Sequence, residues 1–337
     1  MTDILPPLAL TMGDPAGIGP EITAKAWRRL RQTGPAFVWI GPVDALPEDL
    51  PAEEISRPSG IGDLFCEALP VINLNLAQPV SPGRPDPASA PVIIESIMRA
   101  VTLTQTGQTS GVVTCPISKA VLSAGGFRHP GHTEFLAELC RVPGREVMML
   151  AGPELRVVPV TIHVSLRDAL DSLTTDAIIA AGRTTAEALR RDFGIAQPRL
   201  AVAGLNPHAG ENGLMGTEEK TLIAPAIAAL RAEGMDVTGP LPPDTMFTPA
   251  ARARYDAALC MYHDQALIPL KTLDMEHGVN VTLGLPIVRT SPDHGTAFDI
   301  AGQGTASPES LISALQLAWQ MAGYRATGYR KNGGADR

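Results

Sequence analysis

The chain has 337 residues, 45% hydrophobic and 18% charged, with 27 Lys and Arg against 35 Asp and Glu for a formal net charge of −8. That length and hydrophobic share supply either two domains or one large α/β unit. The acidic balance argues against nucleic-acid binding through a basic surface, and no polybasic segment suits an anionic membrane.

Leu8 to Met12 reads as a strand, followed by a glycine-rich turn and a helix from about Glu21 to Gln32. Phe37 to Gly41 is a second strand, and Pro42 to Pro91, rich in Pro, Ser and Gly, reads as irregular surface connections. Ser89 to Thr106 has helical period, and Gly111 to Thr114 is a strand ending at Pro116, a suitable first helical residue. Later strands are expected at Glu146–Ala151, Val157–Ile162, Leu200–Leu205, Ala258–Tyr262, Val279–Leu283 and Ile287–Thr290. Helices fit around Thr133–Cys140, Asp176–Phe193, Thr217–Glu233 and Glu309–Ala322. Pro225 either kinks the third of these or delays its start. Arg330 to Gly334 reads as a loose tail. Alternating strands and helices predict a mostly parallel sheet covered on both faces.

Cys66, Cys115, Cys140 and Cys260 form no CxxC pair, which predicts free, mostly buried thiols in a reducing compartment. The opening Met-Thr-Asp-Ile has no basic region, and no apolar run reaches membrane-spanning length, so the expectation is a soluble cytoplasmic protein.

Of the seven histidines (His129, His132, His163, His208, His263, His277 and His294), three share a placement. His163, His208 and His263 each end or closely follow a predicted strand. Ligands collect at strand carboxyl ends in parallel α/β sheets. Each imidazole could simply close a loop; together, three could hold a catalytic divalent metal. Asp264 and Glu211 are then either carboxylates orienting those imidazoles or solvated loop charges.

The turn Gly13-Asp14-Pro15-Ala16-Gly17-Ile18-Gly19-Pro20-Glu21 is neither a GxGxxG motif nor a P-loop, and reads as a packing turn or as the lining of a ligand cleft. Asp293 to Gly304, with His294-Gly295-Thr296-Ala297, is suited to a nucleotide or to a self-satisfied buried loop. Gly131-His132-Thr133-Glu134 opens a helix, where Thr133 could cap the backbone or help bind an anion. Lys271, Asn280 and Arg289 lie in apolar surroundings, as snorkelling surface groups or as the local anion site that an acidic chain requires.

Taken together, these segments closely resemble the 4-hydroxythreonine-4-phosphate dehydrogenase family of vitamin B6 biosynthesis, from Leu8 to about Ala322. The carriers are Thr11 to Glu21, Gly131 to Phe135, Gly204 to Glu211, Met261 to Gln265, Gly278 to Pro286 and Asp293 to Ala297. Gly17 to Glu21 and His294 to Ala297 also look like the wider isocitrate and isopropylmalate dehydrogenase fold.

The resemblance implies a two-domain α/β/α fold with mostly parallel sheets and an interdomain cleft. Residues 1–125 and 290–337 would form the first domain, and 126–289 a central metal- and substrate-binding domain. It further implies a homodimer with the active site at the subunit interface. The family's metal histidines match His163, His208 and His263, for one divalent ion (Zn, Mg or Co). Its substrate residues match His132, Thr133, Lys271, Asn280 and Arg289. His294, Gly295, Thr296 and Ala297 resemble the nucleotide-contacting loop of the wider fold.

The implied reaction is NAD- or NADP-dependent oxidation of 4-phosphooxy-L-threonine to 2-amino-3-oxo-4-phosphooxybutanoate, which decarboxylates to 3-amino-2-oxopropyl phosphate. Asp244 and Lys271 are the candidates for general base. Related chemistry on D-threonate or D-erythronate 4-phosphate or on an aromatic cis-diol fits the shared motifs too. A phosphate acyltransferase is the alternative of a different class.

Overall fold

The computed structural model describes residues 5–129 and 131–327. The chain runs through β1 (Leu8–Thr11), α1 (Gly19–Leu30), β2 (Phe37–Ile40), β3 (Ala52–Glu54), α2 (Gly62–Glu67) and β4 (Leu69–Ile72). It continues through α3 (Ala90–Gln105), β5 (Val112–Thr114), α4 (Lys119–Ala124), α5 (His132–Leu139), β6 (Val147–Ala151) and β7 (Arg156–Pro159). Next come α6 (Leu166–Ser172), α7 (Thr175–Phe193), β8 (Arg199–Ala203), α8 (Ala224–Ala232), β9 (Asp236–Leu241) and α9 (Pro243–Met246). Finally come α10 (Pro249–Arg252), β10 (Ala257–Cys260), α11 (His263–Leu273), β11 (Val279–Leu283), β12 (Arg289–Pro292) and α12 (Glu309–Thr327). The segment Arg330 to Gly334, read as a tail, lies outside the described residues.

Two compact units result, one from residues up to Glu146 with Leu285–Ala326, the other from Val147–Gly284. This division puts α5 and Arg289 in the first unit.

The first unit's strands run β3-β4-β2-β1-β5-β12, parallel throughout. Its central strands are short apolar runs with no exposed face: every residue of β1, β2, β4 and β5 is buried. Strands covered on both faces read as continuous apolar runs rather than as alternation. Ser96 pins α3 across their carboxyl ends, accepting from the Met12 amide (3.2 Å) and donating to the Ile40 carbonyl (2.6 Å).

The second unit runs β11-β6-β7-β10-β8-β9. Here β6 is antiparallel to both neighbours, and the other pairings are parallel. The reversal at β6 follows from its short link to β7, closed by Gly152 N–H donating to Leu155 O (2.9 Å). The mixed α/β class and the mostly parallel pairing match the sequence expectation.

The segment Pro42–Pro91 departs from its irregular reading, because it contains β3, α2 and β4. Pro70 within β4 removes a ladder donor and disguises a strand whose residues are all buried. Pro269 hides α11 in the same way. At Pro225 the interruption is the outcome, because helical backbone already begins at Glu218 and the irregularity falls inside the helix. Residues Glu219–Ile223 form a π-turn in which the Ala224 amide donates to Glu219 O, and α8 begins with Pro225 in its first turn, where no N–H is needed.

Cys115, Cys140 and Cys260 are buried free thiols and Cys66 is partly exposed. Burial pushes the Cys115 thiol up to about 12, partly offset by its contact with Thr23. No helix among the described residues is long and apolar enough to cross a membrane.

Candidate functional site

In the second unit, β10 lies between β7 and β8, with Ala258 opposite both Val157 and Ala201. His163, His263 and His208 therefore follow the carboxyl ends of three adjacent parallel strands. His163 adopts a left-handed backbone (φ 53°). Its ring centroid lies 5.9 Å from that of His263, with the planes at 45°. His263 opens α11, and its Nδ1 lies 2.7 Å from Asp264 Oδ1, the geometry of an N–H donated to the carboxylate. That contact orients the ring and turns Nε2 away from Asp264.

His208 begins a run of five left-handed residues, His208 to Asn212, with φ between 39° and 74°. Each non-glycine residue there costs roughly 1–2 kcal/mol, so the turn needs external support. Glu219, only 5% exposed, supplies it. Its Oε1 accepts from the Leu205 and Asn206 amides (2.8 and 2.7 Å), and its Oε2 from Asn206 Nδ2 (3.0 Å). A Cβ on Gly210 would meet Oε2 at 2.5 Å, so only glycine fits against the carboxylate. Burial works to raise the Glu219 pKa, but the hydrogen bonds from Asn206 and the neighbouring amides outweigh it and hold the group below the usual carboxylate range. Lys220 Nζ donates to Asn212 O at the far end of the turn.

Among the described residues, no group of three His, Cys, Asp or Glu side chains is gathered closely enough to hold a metal ion. The structure thus brings His163 and His263 together and leaves His208 apart, on the neighbouring strand end. The donor chemistry nonetheless fits a borderline divalent ion: three imidazoles, one already oriented by a carboxylate. Glu211 and Asp244 are exposed, and α9, which carries Asp244, packs against the His208 turn. Lys271 is half-buried in the last turn of α11, and Asn280 is half-buried in β11 opposite Leu150.

In the first unit, α5 starts at His132 with Gly131 at its N-cap. Thr133 therefore lies inside the first turn, so the capping role is ruled out. His132 Nε2 is buried with no hydrogen-bond partner among the described residues. Burial, and then the nearby Arg289 charge, hold the His132 pKa well below the ordinary value, so the ring is neutral at pH 7. Arg289 is 4% exposed, which excludes a snorkelling surface role. Its Nη2 donates to Thr114 Oγ1 (2.7 Å), and burial lowers its pKa to about 10. A desolvated guanidinium beside a neutral imidazole is a combination that receives an anion.

The Gly13–Glu21 turn and the Asp293–Gly304 loop, separate in sequence, pack as one layer in this unit. Ile18 N–H donates to Thr296 O (3.0 Å), and a Cβ on Gly17 would lie 2.8 Å from that same oxygen. Glu21 accepts from the Gly304 and Ala306 amides (3.2 and 2.9 Å), and Lys25 donates to both of their carbonyls (2.9 and 2.6 Å). Within the loop, His294 Nδ1 lies 3.1 Å from Gly295 O, while Nε2 is buried without a partner among the described residues. Ala297 is left-handed (φ 42°). A cavity of about 740 Å³ opens beside this layer, lined by Gly17, Lys25 and Gly302 and by Asp44 and Asn73 of the segment read as irregular. Sequence reasoning missed that wall, and it missed Glu219, whose one signal is a carboxylate on the apolar face of a helical pattern.

Residues 38–318 match the protein family described as pyridoxal phosphate biosynthetic protein PdxA. A 4-hydroxythreonine-4-phosphate dehydrogenase of Caulobacter vibrioides is 57% identical over 327 residues, covering 95% of this chain and 98% of its own. One from Bradyrhizobium diazoefficiens is 54% identical over 335 residues, covering 94% and 97%. The crystal structure of a 4-hydroxythreonine-4-phosphate dehydrogenase from Klebsiella pneumoniae superposes with a TM-score of 0.83 at 40% identity, covering 94% of this chain and 99% of that one.

Proposed function

The chain belongs to the PdxA family of pyridoxal phosphate biosynthesis and is a dehydrogenase, and from that premise we propose the reaction and the residues that carry it. The substrate is 4-phosphooxy-L-threonine, oxidised at its C3 hydroxyl with NAD or NADP as hydride acceptor. The product, 2-amino-3-oxo-4-phosphooxybutanoate, is a β-keto acid that loses CO2 to give 3-amino-2-oxopropyl phosphate. The observation supporting this reading most directly is the delivery of His163, His263 and His208 to three adjacent parallel strand ends.

Those three histidines would hold one Zn, Mg or Co ion, which when bound supplies Lewis-acid polarisation of the substrate hydroxyl. Asp264 orients His263 for that task. Arg289 and Lys271 supply charge-assisted hydrogen bonds to the phosphate and carboxylate, and His132, Thr133 and Asn280 supply neutral ones. Fixing both anionic ends directs the C3 hydrogen toward the nicotinamide. His294, Gly295, Thr296 and Ala297 contact the dinucleotide. The proton acceptor is Asp244 or Lys271.

A cytoplasmic homodimer completes the reading. Of ten large hydrophobic side chains exposed among the described residues, eight lie in the second unit, including Val164, Leu166, Leu170, Leu214, Ile268 and Met275. Of these, Leu166 and Leu170 lie one turn apart on α6, and we read them as part of the face that a second copy covers.

The test is NAD(P)H formation by the purified protein with Zn, Mg or Co, comparing 4-phosphooxy-L-threonine with D-threonate and D-erythronate 4-phosphates. The expected outcome is the highest kcat/KM on the threonine derivative. Turnover confined to the sugar-acid phosphates would overturn the substrate, and metal-independent turnover would overturn the role of the histidines.

A further inference from the structure

Between β12 and α12 the chain forms no helix or strand of its own, and this stretch carries the His294 loop. The backbone bonds inside the loop are long: Ile300 N–H to Ala297 O (3.2 Å), Ala301 N–H to Phe298 O (3.4 Å) and Gln303 N–H to Ile300 O (3.2 Å). Its order is supplied from outside, and α1 supplies it at both ends. The near end is tied by Ile18 N–H to Thr296 O (3.0 Å). The far end is held by two side chains one helical turn apart, Glu21 and Lys25, themselves paired at 2.8 Å.

The donors of that pair are fully used. Glu21 Oε1 accepts from the Ala306 amide and from Lys25, and Oε2 accepts from the Gly304 amide. The three N–H groups of Lys25 go to Glu21, to Gly304 O and to Ala306 O. An ammonium has no fourth donor to offer a ligand. Lys25 nonetheless lines the cavity of about 740 Å³ beside the loop, where an unengaged lysine would be the natural partner of a cofactor phosphate.

We propose that Glu21 and Lys25 are positioning residues that fasten the far end of the His294 loop to α1, so that the loop meets the dinucleotide in one conformation. Lys25 serves the dinucleotide in this way and not by binding its phosphates. This rests on the reading of that loop as the dinucleotide contact. Released at Gly304 and Ala306, the loop samples other conformations, and apparent affinity falls with the fraction of molecules that hold the competent one. A side chain that only stabilised the fold would lower the melting temperature without altering dinucleotide affinity measured well below it. A phosphate ligand would differ again, because Glu21→Gln would free Lys25 and strengthen dinucleotide binding.

The experiment titrates NAD calorimetrically into the full-length protein, Glu21→Gln, Lys25→Met, the double variant and His294→Ala. Amide exchange over residues 294–306 is followed without NAD. Glu21→Gln and Lys25→Met should each bind NAD about 5- to 30-fold more weakly and exchange faster across 300–306. The double variant should bind no more weakly than either single one, because the same clasp is lost in all three. KM for 4-phosphooxy-L-threonine should hold throughout. If His294→Ala weakens NAD binding while Glu21→Gln and Lys25→Met keep parental affinity, the positioning role is wrong and the loop reading stands. Weaker binding in Lys25→Met beside equal or tighter binding in Glu21→Gln would make Lys25 a phosphate ligand and overturn the proposal. If His294→Ala keeps parental affinity, the loop reading falls and takes this inference with it.

Discussion

Replacing Arg289 by Met should separate substrate binding from stability. Burial lowers the Arg289 pKa from its ordinary value to about 10. A change of that size corresponds to about 3 kcal/mol against keeping the charge in the folded state. The penalty is fully present below pH 10 and is relieved only as pH rises from there toward the ordinary arginine value, because in that window the unfolded chain binds the proton that the folded chain has released. Met fills similar space without charge and removes the penalty. It also removes the hydrogen bond to Thr114 Oγ1, worth about 1 kcal/mol. The net gain of about 2 kcal/mol should raise Tm by roughly 4–8 °C for a unit of this size. Substrate affinity should move the other way, falling by about 2–5 kcal/mol, because a desolvated anionic group loses its partner. Scanning calorimetry of both proteins, with and without the phosphorylated substrate, reads both effects. A variant that melts below the parent and binds substrate equally well would show that Arg289 is a structural residue and that the anion is held elsewhere.

Three further outcomes follow from the same geometry. An unfolded histidine takes a proton below about pH 6.5 while buried His132 does not, so native stability should fall with acidity by at most about 1.4 kcal/mol per pH unit. His132→Gln should flatten that slope in denaturant titrations from pH 7 to 5, and parallel slopes would contradict the burial argument. Gly17→Ala places a methyl 2.8 Å from Thr296 O, forcing the turn and the His294 loop apart. About 1–3 kcal/mol of stability should be lost and KM for the dinucleotide should rise while KM for substrate holds. An unchanged dinucleotide KM would detach that loop from cofactor binding. Leu166→Asp with Leu170→Asp should convert a dimer to a monomer in sedimentation; a dimer that survives both charges places the interface on another face.

The long periodic helices and the doubly buried strands were legible because their apolar spacing is local information. β2 is an uninterrupted hydrophobic run, β1 is one up to its closing Thr11, and α7 carries its buried stripe from Ile178 to Phe193. Proline defeated the same reasoning at β4 and α11, where tertiary packing tolerates a missing donor that local rules count as a break. The candidate histidines were legible by position, since each trails an apolar run. Their supports were not, because the bonds from Gln265 to Gly204 and from Glu219 to Leu205 are set by which strands lie side by side. Arg289 shows the limit from the other side: its sequence left a snorkelling surface group and a local anion site both open, and only the pairing of β12 with β5 reveals a buried guanidinium.

That pairing also sets a timetable. Arg289 and Thr114 are 175 positions apart, so β5 waits for its outer neighbour while the entire second unit is synthesised. At about 5–20 residues per second on the ribosome, the wait is roughly ten to thirty-five seconds. Throughout it, Val112 to Thr114 presents an apolar strand edge that the finished protein covers completely. The second unit, contiguous in the chain, can fold during that interval. The first has to remain partly open on the nascent chain until its last strand and α12 emerge.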